Sequence, residues 1–492
     1  MSGDEAASSD ITGPPPRPAQ LQRFVLPVPS DPTPRPSHRP TASACSLIRP
    51  PVTIRFPRHL ALILVLLLSP VAHAVTPTEQ MAINQKRYGI AAQGVLVMHD
   101  GQVVFKGIMG ASEDSIFPVY SVSKLFVSTL VMQLAEQGKI DLDKPASAYL
   151  TGLPTRWQPI TVRQLLNHTS GLPEYFDSKH DFLPTVQATF ASLAERPLVF
   201  TPGSASRYTQ TNYLVLTLLL ETQYGKPYPQ IASERILRPL GMKHTFLGAP
   251  TLPKSGVLKA YAGKGGKLTD AETVPWPVYS YGHSDLFLTL DDLARFLKAI
   301  SRGELVGKQA LQQLWQPPRL TNDRPGMFAT GWEYGESGAY HHVGHDGGTQ
   351  VRVRFLFKDK VDGDNFIVIY LTNGSVRNVW SRVLLDSAMA AAAPDQFPQE
   401  VLAEQLIAFA LGETGAPSID KTPLSERTVN TAGYAVLENL GPDAALRVFD
   451  LGTTLFPESA RAWEGRAEVY RVKGDPIKAR ESREKARELA KP

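Results

Sequence analysis

Two blocks of β-rich sequence lie at opposite ends of a long stretch that reads as helical, and that separation constrains the fold most. Gly94–Val97 and Gln102–Phe105 are short apolar runs divided by His99-Asp100-Gly101. Asp-Gly between two such runs predicts a tight hairpin. Far downstream, Thr349–Phe357 alternates Val and Arg, and Asn365–Leu371 is almost wholly apolar, so the two read as adjacent strands. Between the blocks the period changes. Val122, Leu125, Phe126, Leu130 and Leu134 make a helical stripe over about Val122–Gln137, stopped by Gly138. Thr161 can cap a short helix through Leu166, Tyr213–Thr222 reads as a buried helix, and Leu290–Ile300 carries Asp291 and Asp292 in its first turn. An α+β domain follows, with one sheet joining both ends of the chain. Gly263-Lys-Gly-Gly-Lys267 lacks phosphate-loop spacing and is expected to be a flexible loop.

The regions outside that domain read differently. Residues 1–51 hold 12 of the 41 prolines and show no apolar periodicity, so they are expected to be disordered or an untranslated leader. Residues 52–74 form a signal-peptide pattern: Arg55 and Arg58, the apolar run Leu60–Leu68, then Ala72-His73-Ala74. The expectation is translation from near Val52, export, and cleavage after Ala74, giving a periplasmic or secreted protein. A lipoprotein site at Cys45 is disfavoured because no apolar run precedes it. From residue 396 to 492 strand signals vanish. A weak repeat aligns Gly433 with Ala467, Leu440 with Gly474 and Ala445 with Ala479, resembling tetratricopeptide repeats. So short an array is expected to pack on the main domain (75–395) or on a protein partner.

Charge and cysteine content narrow the chemistry. Net charge is +4, and residues 1–74 carry +3 of it, which argues against nucleic-acid binding. Cys45 is the sole cysteine, so the rest of the chain has neither a thiol nucleophile nor a cysteine-ligated zinc site. His341, His342 and His345 lack an H-E-x-x-H arrangement, and neither a metal nor a cofactor is called for. In Phe117-Pro-Val-Tyr-Ser121-Val-Ser-Lys124, Ser121 would open a helix with Lys124 one turn on, on the same face. A serine needs a nearby base, a desolvated lysine can serve as one, and a helix N-terminus favours a developing oxyanion. Alone, that spacing equally fits a capping serine and a solvated lysine.

Three further segments follow in order: Leu165-Leu-Asn-His168-Thr-Ser-Gly171-Leu-Pro173, Arg207-Tyr208-Thr-Gln210-Thr-Asn212-Tyr213, and His341-His-Val-Gly-His345-Asp346-Gly347-Gly348. Together with Ser121-x-x-Lys124 they resemble the serine β-lactamase family over about Thr78 to Met389. The likeness is strongest to class C β-lactamases and the related penicillin-binding proteins, D-amino peptidases and esterases. The resemblance implies an antiparallel sheet flanked by helices, with a helical subdomain. It implies Ser121 as the nucleophile of an acyl-enzyme, Lys124 as base or activator, Tyr208 as proton shuttle and His345 in place of the usual lysine. The N–H groups of Ser121 and Gly348 would form the oxyanion hole, with Gly347 and Gly348 bare so that a substrate carbonyl can approach. Gln210 stands where Asn is usual, and Asp346 where a small hydroxyl residue is usual. Both are expected to face the substrate, with Asp346 repelling carboxylates. His168, Asn212 and Tyr213 are expected to be structural, and Asp177, His180 and Asp181 a solvated loop. The reading is an exported serine hydrolase of small esters or amides. The alternatives are a D-amino-acid peptidase or penicillin-recognising enzyme, and, from another class, an inactive binding or scaffold protein.

Overall fold

The computed structural model describes residues 75–176 and 181–490. The chain divides into residues 1–73 and 74–492. The leader, signal peptide, Cys45 and cleavage site, together with Asp177 and His180, lie outside the described residues.

The hydrophobic alternation of the two β-rich blocks builds one seven-stranded antiparallel sheet. Its order is Gln102–Met109, Gln93–His99, Asn365–Thr372, Val351–Phe357, Tyr340–Gly347, Trp332–Ser337 and Phe328–Ala329. The first strand of the chain therefore pairs with the last, with Val95 opposite Tyr370, which joins both ends of the domain as the sequence predicts. The near-continuous apolar runs arise because both faces of the sheet are covered. Leu96, Met98, Val353, Phe355, Ile367 and Ile369 bury one face in a core with Leu125, Phe126 and Leu130. Their neighbours Val95, Val97, Leu356, Phe366 and Val368 bury the other. Successive residues of a strand point to opposite faces, so a strand buried on both sides is mostly apolar, and the buried Arg352 and Arg354 of Val351–Phe357 are paired with carboxylates.

On the face of Leu96 and Val353 pack the helices Ser123–Glu136, Gln210–Tyr224 and Leu290–Arg302, which match the predicted helical segments within a few residues. Thr161 caps Val162–Leu166 through a reciprocal bond with Gln164. On the opposite face lie Pro77–Tyr88 and Ser381–Ala392, followed by the all-helical tail. That tail comprises Pro398–Leu411, Pro423–Leu440, Pro442–Leu455, Ala460–Lys473 and Pro476–Leu489. It does not stand apart: Leu402, Leu406, Val429, Val436 and Phe449 share a core with Tyr88, Val95 and Val368.

Two local expectations need correction. Gly263–Lys267 is not a loose loop but the turn of a hairpin between Tyr261–Lys264 and Lys267–Asp270. Gly265 and Gly266 take φ of 57° and 75°, the paired left-handed geometry that favours Gly-Gly in two-residue turns. Thr349 and Gln350, read as the start of a strand, instead form the turn before Val351, with φ of 54° and 59°.

Candidate active site

Ser121 sits in the short 3₁₀ turn Tyr120–Val122, which runs directly into Ser123–Glu136. The chain enters through Tyr120 at φ 44°, left-handed backbone that a bulky residue adopts only under constraint. Gly347 and Gly348 press on this turn from the neighbouring strand. A Cβ on Gly347 would lie 2.3 Å from the Val119 carbonyl oxygen, and one on Gly348 would lie 3.0 Å from the Tyr120 ring. The Val119 carbonyl thus leaves no room for a side chain at Gly347, and the Tyr120 ring leaves little at Gly348, a nearer cause than substrate approach.

Lys124 is fully buried, and its Nζ lies 3.5 Å from Ser121 Oγ. Nζ donates to the His283 carbonyl at 2.8 Å and lies 4.8 Å and 5.4 Å from the ring centres of Tyr208 and Tyr213. It has no ion pair among the described residues. Burial holds its pKa well below the ordinary lysine value, with Glu174 opposing the shift. An amine kept neutral this way can donate one hydrogen to His283 and still accept the Ser121 proton on its lone pair.

Tyr208 lies just before Gln210–Tyr224. Burial raises its phenol above the ordinary value, while Ser121 and Gln210 pull it partway back. Among the described residues, no hydrogen bond of good geometry occupies Oη. The phenol is therefore the favoured form, and a phenolate base is not. His168 is fully buried at φ 55°, its ring tilted against Tyr208 with centres 4.7 Å apart. Its Nδ1 accepts from Thr209 N–H at 3.2 Å and lies 2.9 Å from Asn212 Nδ2. It caps and packs the helix start that holds Tyr208.

His345 is buried 5.8 Å from Tyr208, ring centre to ring centre. Its Nδ1 donates to the Asp346 carbonyl at 2.6 Å. A carbonyl only accepts, so the proton is on Nδ1 and Nε2 keeps its lone pair. Burial pushes the pKa down to about 3, with Lys124 adding to the fall and Asp346 opposing it. His341 and His342 do not join it. His341 Nδ1 meets Tyr334 Oη at 2.9 Å, and the His342 ring packs over Gly335.

Asp346 is not where the sequence put it. As the next residue on the strand it faces away from His345. Its carboxylate binds Arg352 at 2.6 Å and Arg354 at 2.9 Å, and accepts from Ser381 Oγ at 2.9 Å. The expectation that it faces and repels a substrate is overturned, because its charge is spent on two arginines behind the sheet. Gln210 opens its helix, with Oε1 buried and unpartnered.

Two residues of this site escaped sequence reasoning. Glu174 accepts from the N–H groups of Tyr175, Phe176 and Gln210 at 2.9, 3.3 and 2.9 Å, clamping the Pro173 turn to the helix after Tyr208. Burial raises its pKa against these bonds. His283 holds Lys124 through its backbone, and its Nε2 lies 2.7 Å from Tyr175 Oη. The Leu172-Pro173 turn before Glu174 and the glycine beside His283 were faint local signals; neither pointed to the partner.

A sequence profile of the Beta-lactamase family matches residues 74–392. Among relatives, the chain is 25% identical over 330 residues to penicillin-binding protein 4 of Amycolatopsis lactamdurans, covering 62% of this chain and 82% of that one. It is 34% identical over 177 residues to the D-alanyl-D-alanine-carboxypeptidase/endopeptidase AmpH of Escherichia coli (strain K12), covering 32% of this chain but only 46% of that one. Among solved structures, a D-stereospecific amidohydrolase from Streptomyces sp. superposes with a TM-score of 0.53 at 23% identity, over 65% of this chain and 98% of that one. At that identity the superposition speaks for the fold alone. The profile spans most of the chain and includes Ser121, Lys124, Tyr208 and His345, and on that ground the chain belongs to the Beta-lactamase family of serine hydrolases.

Proposed function

We propose that the protein is an exported serine hydrolase that opens small esters or amides through an acyl-enzyme on Ser121. The observation that carries this reading is the buried Lys124 amine, without an ion pair among the described residues, 3.5 Å from Ser121 Oγ. In the proposed cycle Lys124 takes the Ser121 proton as Oγ attacks the carbonyl. The N–H groups of Ser121 and Gly348 receive the oxyanion at the positive end of the helix. The protonated lysine, relayed through the Tyr208 hydroxyl, returns the proton to the leaving group. Water then attacks the acyl-enzyme with the same groups in reverse. His345 Nε2 and Gln210 Oε1, buried without a hydrogen-bond partner among the described residues, serve substrate binding. Mature protein beginning at Val75, periplasmic or secreted, belongs to the same proposal, as do a main domain of 75–395 and a tetratricopeptide-like tail of 396–492 open to a protein partner.

A second reading has its own support. With Asp346 bound to Arg352 and Arg354, no carboxylate of that residue faces the cleft to disfavour a D-amino-acid peptide. One experiment separates the readings: labelling the pure protein with a fluorophosphonate and with a fluorescent penicillin. Label from the first probe alone indicates an esterase or amidase, and label from both a penicillin-recognising peptidase. Label from neither leaves the inactive scaffold. The label must disappear in Ser121→Ala.

A further inference from the structure

Three separate stretches of chain bring aromatic rings together beside the lysine. Tyr175 and Phe176 follow the Pro173 turn, Phe182 precedes the helix Val186–Leu193, and Trp276 and His283 flank the 3₁₀ turn Val278–Ser280. The rings form a continuous patch. Phe176 and Phe182 lie 4.9 and 5.2 Å from Trp276. Trp276 lies 5.2 Å from His283 edge to face, and Tyr175 lies 5.7 Å from His283. His283 is buried and is the residue whose carbonyl holds Lys124 Nζ. The other four rings stay half-exposed. The patch is thus anchored at its inner end to Lys124, and Tyr175, Phe182 and Trp276 keep part of their surface exposed.

We propose that Tyr175, Phe176, Phe182 and Trp276 form a subsite for an uncharged aryl group attached to the scissile ester or amide. This inference rests on the serine hydrolase reading and names its substrate class. Half-exposed rings with centres about 5 Å apart offer both faces and edges, which favour another ring by stacking and edge contacts. A cationic group is the rival occupant, since aromatic patches also hold ammonium ions. Glu174, the carboxylate at the inner end of the patch, turns its oxygens to the N–H groups of Tyr175, Phe176 and Gln210, and Asp181 beside Phe182 is exposed to solvent. Burial also keeps His283 neutral at physiological pH. The patch therefore selects by apolar contact.

The test compares kcat/KM, followed by acid release, for ethyl phenylacetate, benzyl acetate, ethyl acetate and the ethyl ester of trimethylglycine. At least one aryl ester should exceed ethyl acetate by about tenfold or more, the scale that apolar pockets achieve. That ratio should fall several-fold in Trp276→Ala and, independently, in Phe182→Ala, while Trp276→Phe retains most of it. Val278→Ala, at an exposed neighbour outside the patch, should leave the ratio alone. Three outcomes overturn the subsite: no aryl preference, a preference untouched by both alanine variants, or a preference for the trimethylammonium ester. Fluorophosphonate labelling of Ser121 keeps the two ideas apart. A labelled enzyme that hydrolyses ethyl acetate without aryl preference loses only the subsite. A protein that neither labels nor turns over any ester loses both.

Discussion

At the residue scale, Lys124 is placed at a cost to stability. Unfolded, its amine titrates near the usual lysine value; folded, burial holds it well below. The unfolded chain therefore binds more protons between those two values, so this residue's contribution to stability rises as pH rises through that window. Activity has the same sign: kcat/KM should increase with pH as Lys124 loses its proton and level off well below pH 10. Lys124→Arg, permanently charged, should lose roughly 100-fold to 10,000-fold in kcat. Lys124→Met should be as inactive yet more heat-stable by about 1–2 kcal/mol, because a similar volume is filled without a buried amine. A paired pH–rate profile and thermal melt checks both. Inactivity with a lowered melting temperature would assign Lys124 a structural role instead. The Ser121 and Lys124 pairing was legible because one helical turn fixes it. His283 and Glu174 were not, because His283 meets Lys124 from 159 residues away and Glu174 reaches Gln210 from 36 residues away.

At the element scale, the strand Tyr340–Gly347 does two jobs on two faces. His345 turns toward the nucleophile helix, and Asp346 turns back to Arg352, Arg354 and Ser381. The sequence reading treated these neighbours as one motif and set both in the cleft. Period-two alternation forbids that for adjacent residues of a strand, and the strand's start was not read from the residues. Asp346→Ala should therefore act on stability more than on substrate charge. Arg352 would lose its ion pair with Asp346, while the buried Arg354 would keep Glu333, so the cost in denaturant melts should fall below the roughly 3–5 kcal/mol of a buried charge left wholly unpaired. The kcat/KM ratio between a neutral ester and its carboxylate analogue should stay put in Asp346→Asn. A ratio that moves would return Asp346 to the cleft. Gly347→Ala tests the other contact of this strand: its Cβ would meet the Val119 carbonyl at 2.3 Å and displace the turn that carries Ser121. Fluorophosphonate labelling should slow by tenfold or more, with a smaller change in melting temperature.

For the molecule as a whole, the sheet is the partition between the core that packs the helix Ser123–Glu136 and a second core shared with the tail. The sheet was legible because apolar runs at both ends of the chain need a common surface. That the tail completes the second core was only one of two options in the sequence, since a helical pattern shows an apolar face and not what covers it. Leu402, Leu406, Val429, Val436 and Phe449 are each at most 8% exposed in that core. Removing residues 396–492 would uncover the parts of Tyr88, Val368, Leu385 and their neighbours that those side chains cover. Each large apolar side chain returned to water costs about 1.5–3 kcal/mol, and a few of them match the whole stability of an ordinary domain. A chain ending at residue 395 should therefore aggregate, or melt far below the chain ending at 492, although every residue of the candidate site is still present. Dye binding to exposed apolar surface and light scattering would register the uncovered face directly. A truncated chain that stays monodisperse, melts at the same temperature and labels at Ser121 at the same rate would show that the shared core carries no stability, and that the tail is held there only to present its own helices to a partner.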